Sequence, residues 1–388
     1  MVEISLDRVN HFVLRKQHLT RDSKINDIVQ IVTNIGGLHA TSATSPFLSL
    51  FSRAKKFEKA DFSKELSHRK SLARIRYVRN TVYILPKDFI PLAFAATSRL
   101  GGMTSERHYR NFGFSPRDYD RVSRKILDIL RGRGLSTKEI RGKLRTTRNI
   151  APLVNLMCDR GLLIRGLSKQ GWKSILHTYF RFVDYYPDLN LMDIEEEEAR
   201  EIVIKQYISS FGPVTEEDIT WWTGFPIKQV RKILGKLEKD FSTVEISGLE
   251  GCFFLLSSEL EPLRSLEFPR TPVVNLLPYL DPYLMGYKRR ERYLDPQRYE
   301  MIFDRSGNAT SAILLDGQVI GLWDFDELWI KLYLFKELGK NIMDEIYSGA
   351  AAVGAFIADR VVQIKRCDST VPLNHRTAGA FMSPLKDC

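Results

Sequence analysis

The chain has 388 residues and a mass of 44.8 kDa, enough for two to four domains at roughly 100–200 residues each. Hydrophobic residues make up 44% and charged residues 27%, the balance of a globular rather than a disordered protein, and no run approaches the ~20 apolar residues of a membrane helix. The net charge of +11 is uneven: residues 1–182 carry 35 Lys and Arg against 14 Asp and Glu, whereas the remainder carries 23 against 33.

A basic first half points to an anionic polymer as partner, nucleic acid ahead of a membrane surface. The first thirty residues lack the apolar core of a signal peptide. The cysteines Cys158, Cys252, Cys367 and Cys388 form no CxxC pair. Neither a disulfide framework nor a cysteine zinc site is expected, and a cytoplasmic, nucleoid-associated address follows.

In chain order, residues 22–33 read as an amphipathic helix. Pro46 opens a second helix after Ser45, and residues 62–68 form a third. The alternation in RIRYVRNTVYIL, residues 74–85, predicts paired strands. Residues 121–130 are apolar at helical spacing and are followed by a break at Gly132 and Gly134. Ser136 or Thr137 caps the next helix, and a third runs over about 149–160. LLIRGL and the stretch from Tyr179 to Val183 are β-type. The same grammar returns with a helix over 197–211, a break at Gly212-Pro213 and a helix capped by Thr215 with Asp218. A helix from Pro226 to about 237 and two strands around Gly248 and Gly251 complete it.

Helices followed by a β-hairpin give the winged-helix arrangement. The expected fold is α+β: three tandem winged-helix modules (1–115, 116–190, 191–265), then a β-rich C-terminal domain (266–388). There, residues 271–326 are expected to be mostly strand, with turns at Ser306-Gly307-Asn308 and Asp316-Gly317. Residues 327–347 should be helical, 351–364 β or mixed, and the last twenty a tail. No metal-binding histidine spacing, phosphate loop or GxSxG elbow is present.

Two stretches carry a resemblance. LLPYLDPYLMGYKRRERYLDP (276–296), followed by IFDRSGNATSAILLDGQVIGLW, resembles the AlkZ/YcaQ winged-helix DNA glycosylases, and so do GGLHATSATSPFLSLFSR (36–53) and VRNTVYILP (78–86). The resemblance implies three winged-helix modules and a β-rich part around a basic channel for duplex DNA. It implies excision of alkylated purines, notably N7-alkylguanine, and crosslink unhooking in some members. It also implies water as nucleophile, no metal or cofactor, and a monomer acting in base excision repair of alkylation damage. The family's motif after Gly-Leu is usually Gln-x-Gln or Gln-x-Asp, whereas GLHAT places His39 and Thr41 there.

In an extended segment His39 and Thr41 face the same way and are able to hold one water. A neutral His39 could accept its proton, and Thr41 could only orient it. The alternative is a structural histidine in a non-catalytic winged-helix DNA-binding protein or transcriptional regulator. By resemblance Arg79 and Thr81 lie near the reaction centre, and otherwise they are polar positions of a strand. Arg289, Arg290 and Arg292 either meet phosphates or form a solvated basic turn, and Arg53 is placed on the DNA side with them. The Asp316-Gly317-Gln318 tip either probes the minor groove or is simply a turn. Trp221-Trp222 reads as core rather than a base-stacking platform.

Overall fold

The computed structural model describes residues 2–269, 271–326 and 328–375. It is a mixed α+β chain with three sheets and two compact units. The unit central in sequence comprises Gly37–Ala43 and Glu58–Ile204, and the terminal unit comprises Met1–Gly36, Thr44–Phe57 and Lys205–Cys388.

The central unit is built on a six-stranded antiparallel sheet. Its order is Leu38–His39, Val82–Pro86, Leu72–Arg76, Leu163–Arg165, Thr178–Arg181 and Leu135–Ser136. Arg79 and Asn80, both at positive φ, turn the hairpin predicted over 74–85. The capping box of Ser136 with Glu139 starts Thr137–Lys143 where the sequence places it, and a second, Ser115 with Asp118, starts Pro116–Ile129 ahead of the helical run read from 121. Helix Ala151–Asp159 is apolar on nearly every side, so it is buried rather than presented to solvent. Its Leu153, Val154 and Met157 share a core with Ile126, Ile140 and Tyr179. Val183 does not extend the last strand. Phe182–Tyr185 forms a helical turn instead, because Phe182 and Tyr185 are drawn into a second core with Ile90 and Ile164.

In the terminal unit, Thr215 and Asp218 cap Glu216–Thr223 reciprocally (3.0 and 3.1 Å), as expected. Strands Phe241–Ile246 and Leu249–Leu256 form the predicted hairpin, and Val2–Ile4 adds a parallel strand that the sequence did not announce. Five strands form the C-terminal sheet: Val274–Leu277, Ala312–Leu315, Gln318–Phe325, Trp329–Leu334 and Gln363–Arg366. The last pair is parallel and is joined across helix Lys340–Ala358.

Several expectations need correction. Residues 22–33 are not one helix: Asp27 accepts from the Gln30 amide and starts the helix only at Ile28–Asn34. Residues 271–326 are less strand-rich than expected, because Asp281 and Asp295 cap short turns, Pro282–Met285 and Pro296–Arg298. Residues 327–347 split into a strand and the start of a helix. WIKLYL alternates and buries Ile330 and Leu332, and the helix then runs on through most of the stretch expected to be β. Cys158 and Cys252 are not in disulfides, but Cys367 is disulfide-bonded, against the reading of unbridged cysteines. The expected tail lies outside the described residues from 376 onward. Among the described residues, no helix is long and apolar enough to cross a membrane.

Candidate active site and nucleic-acid face

Gly37 sets the approach of the segment that carries His39. Its φ is +98°, and a Cβ there would lie 2.5 Å from Leu85 Cδ2, so only glycine brings the backbone this close to the neighbouring strand. Leu38 and His39 then pair with Ile84 and Tyr83, and the Ala40 amide donates to the Val82 carbonyl at 2.7 Å. Beyond Ala40 the chain bends. His39 is therefore 4% exposed, while Thr41, at the start of the bend, is exposed.

The His39 ring packs on Tyr83, centroids 5.2 Å apart, and Tyr77 meets Tyr83 edge-on at 5.6 Å. The Tyr83 hydroxyl is hydrogen-bonded with Arg79 and Thr81. The Thr81 hydroxyl also donates to the Val78 carbonyl (3.0 Å), which ties the turn. The structure thus brings His39, Arg79 and Thr81 together around two tyrosines that the sequence reading did not single out. Tyr83 was legible as the strand position two beyond Thr81; Tyr77 carried no such signal. Burial, and after it the charge of Arg79, push the His39 pKa down to about 3. Neither ring nitrogen has a hydrogen-bond partner. A neutral imidazole with spare acceptor capacity can orient a water molecule and take its proton, though as a weak base.

The other expected DNA contacts fall in the terminal unit. Arg53 is fully buried in a bidentate pair with Asp281 (2.7 and 2.8 Å). Arg290 and Arg292 are internal as well. Arg290 donates to Tyr299 and the Gly307 carbonyl with its guanidinium 3.6 Å above the Phe303 ring. Arg292 donates to the Pro213 carbonyl at 3.0 Å and lies over Tyr287. Their neighbour Arg289 reaches solvent, with Glu291 and the Glu250 carbonyl as partners. The Asp316-Gly317 hairpin has the φ values of 49° and 83° that its turn type needs, with Gly317 buried and Asp316 and Gln318 partly exposed. Tyr283 donates to the Gly317 carbonyl (3.0 Å), Gln318 to the Arg292 carbonyl (2.9 Å), and the Val273 amide to Asp316 (2.9 Å). Arg53, Arg290 and Arg292 thus hold the unit together from its interior. Trp222 is core, stacked on Tyr207. Among the described residues no cluster of side chains suits a metal ion.

A second buried histidine was missed. His177 accepts a hydrogen bond from Arg74 (2.9 Å), and burial with Arg74 and Arg165 holds its pKa near 3. Burial lowers His18 too, whereas the hydrogen bond that His11 donates to Asp316 raises His11. An unfolded histidine takes up a proton below pH ~6.5. For His39 and His177 the folded state refuses that proton until about pH 3. Their contribution is intact above pH ~6.5 and is lost as pH falls toward 3. His11 has the opposite sign and works against that slope. Urea midpoints should fall between pH 7.5 and 5.5, and His177→Gln should flatten that slope. A midpoint that is level in wild type would contradict the assignment.

Comparison with known proteins agrees with this architecture. A family model described as DNA glycosylase AlkZ-like matches residues 32–356. An interstrand DNA cross-link repair glycosylase of Streptomyces sahachiroi is 24% identical over 271 residues, 66% of this chain and 70% of that protein. The solved structure of Streptomyces sahachiroi DNA glycosylase AlkZ superposes with a TM-score of 0.77 at 20% identity, covering 94% of this chain and all of the other. That likeness is one of fold.

Proposed function

Since the chain belongs to the AlkZ-like DNA glycosylase family and is accordingly a monofunctional glycosylase, we propose that it releases N7-alkylguanine-type bases from duplex DNA, interstrand crosslinks of that kind included, with a water held by His39 and Thr41. The observation that carries the catalytic assignment is the buried, neutral, unpartnered His39 imidazole at the motif position. An N7-alkylated guanine is already cationic. When its bond to C1′ breaks, the electron pair leaves with the base and cancels that charge, so no acid is needed. Water oxygen bonds to C1′ and its proton passes to a His39 nitrogen. Thr41, at the solvent end of the segment, orients that water as it enters with the lesion.

Among the expected DNA-side groups that remain partly exposed are Arg79, Thr81 and Arg289, and we assign phosphate positioning to them. The three-module reading over 1–115, 116–190 and 191–265, with a C-terminal domain over 266–388, goes with this function. It is supported by helices Pro116–Ile129, Thr137–Lys143 and Ala151–Asp159 preceding a hairpin, and by the same order from Glu196–Phe211 to Leu249–Leu256. The enzyme acts as a monomer with little sequence preference. The test is chromatographic detection of N7-methylguanine freed from duplex DNA, alongside unhooking of a crosslinked duplex on a denaturing gel. Release from at least one substrate is expected. Salt-sensitive binding with no release from either would defeat the proposal.

A further inference from the structure

Residues 167–177 join strands Leu163–Arg165 and Thr178–Arg181. The loop is tied at its base, where the Gly166 amide donates to the Thr178 carbonyl (2.7 Å) and the Thr178 amide to the Leu167 carbonyl (3.3 Å). Inside it, Ser168 accepts from the Gln170 amide (3.0 Å), and Ser174 accepts from the Leu176 amide (3.2 Å). Lys59 lies 4.7 Å over the Trp172 ring and holds the near side. The loop's shape is thus set by polar groups and one aromatic. Near its return to the sheet it leaves two adjacent aliphatic side chains bare: Ile175 is 66% exposed and Leu176 56%.

The charge around them has one sign. Residues 160–183 contain Arg160, Arg165, Lys169, Lys173 and Arg181 and no Asp or Glu. Where the loop leaves the sheet, Lys70, Arg133, Lys169 and Arg181 line a concavity of about 450 Å³. The carboxylates that answer them are Asp184, 3.6 Å from Arg181, and Glu139, 3.0 Å from Lys169. Four cations face two anions, which leaves room for phosphates. Aliphatic wedges beside basic groups are the means by which proteins unstack a base step from the minor groove while gripping the backbone.

We propose that this loop is a duplex-probing wedge: the concavity takes backbone phosphates, and Ile175 and Leu176 enter the groove and open a base step. The proposal rests on the glycosylase reading only for the occupant being damaged duplex.

Full-length protein is titrated onto undamaged duplex and onto duplex with a stable abasic analogue, each carrying 2-aminopurine at the probed step. Wild type should raise the fluorescence several-fold. Ile175→Ser with Leu176→Ser should abolish that rise while keeping the salt slope, since no charge changes. Lys70→Gln with Arg133→Gln should weaken binding to both duplexes roughly tenfold and flatten the plot of log affinity against log salt by about one to two units. A rise that survives the serine pair, or a salt slope unchanged by the glutamine pair, overturns the proposal. So does a glutamine pair that weakens only inorganic phosphate binding, which would mark a free-anion site. All four substitutions lie outside the buried cores, and matching melting curves would exclude unfolding. Because these are binding readouts, a protein that distorts duplex DNA but frees no base would defeat the glycosidic mechanism and leave the wedge standing.

Discussion

Asp281→Ala is expected to destabilise the protein by about 3–5 kcal/mol, because it strands the Arg53 cation in the interior. Both side chains are fully buried. The carboxylate also accepts from the Ser49 hydroxyl (2.8 Å) and from the Tyr283 amide (2.9 Å), where it caps Pro282–Met285. The cap adds about 1 kcal/mol to the loss. Against a total stability of order 5–15 kcal/mol, the variant should have a much lower urea midpoint. Replacing the pair together, Arg53→Met with Asp281→Leu, should recover most of the loss, since two charges are then no longer held away from water. If Asp281→Ala costs less than about 1 kcal/mol, the pair is not the strut that its geometry indicates. If Arg53 instead served DNA directly, Arg53→Met alone would weaken binding without touching the midpoint.

That arginine shows where sequence reasoning succeeds and where it stops. Ser136-x-x-Glu139 and Thr215-x-x-Asp218 were legible because a capping box is closed by residues three apart, with no help from elsewhere in the chain. The Asp316-Gly317 turn was legible for the same reason. What the turn packs against was not, because Tyr283 and Arg292 lie far from it in sequence. Arg290 and Arg292 read as a basic surface turn because nothing local reveals Phe303 and Tyr287 beneath their guanidinium groups. His39 was located by its motif, and its register opposite Tyr83 follows from two antiparallel strands. Its burial does not, since the bend after Ala40 is set by tertiary packing rather than by the residues of GLHAT. Residues 327–347 failed differently. WIKLYL alternates, but its polar positions at period two were outweighed by the helical composition that follows.

His39→Ala should lower the rate of base release by about 10²-fold, the lower end of what a positioned proton acceptor supplies. The lower end is expected because an imidazole held near pKa 3 is a weak base, so most of its effect is orientation of the water. Three further results follow from that physics. The loss should fall on kcat, with duplex affinity kept within about twofold, because the ring is buried and touches no phosphate. The wild-type rate should be level from pH 5 to 8, without the rising limb near 6.5 that a solvated histidine would give, since His39 stays neutral throughout that range. His39→Gln should keep most of the activity, because an amide oxygen can accept from the same water, and adding Thr41→Asp should raise it. A carboxylate at Thr41 would stabilise the cationic sugar, and among the described residues Arg79 is the charge now acting on His39. Release from N7-methylguanine duplex under single-turnover conditions reads all four proteins. Unchanged release by His39→Ala would remove His39 from the chemistry and leave the enzyme class in place. A wild-type rate that climbs through pH 6.5 would show that the imidazole meets water during turnover.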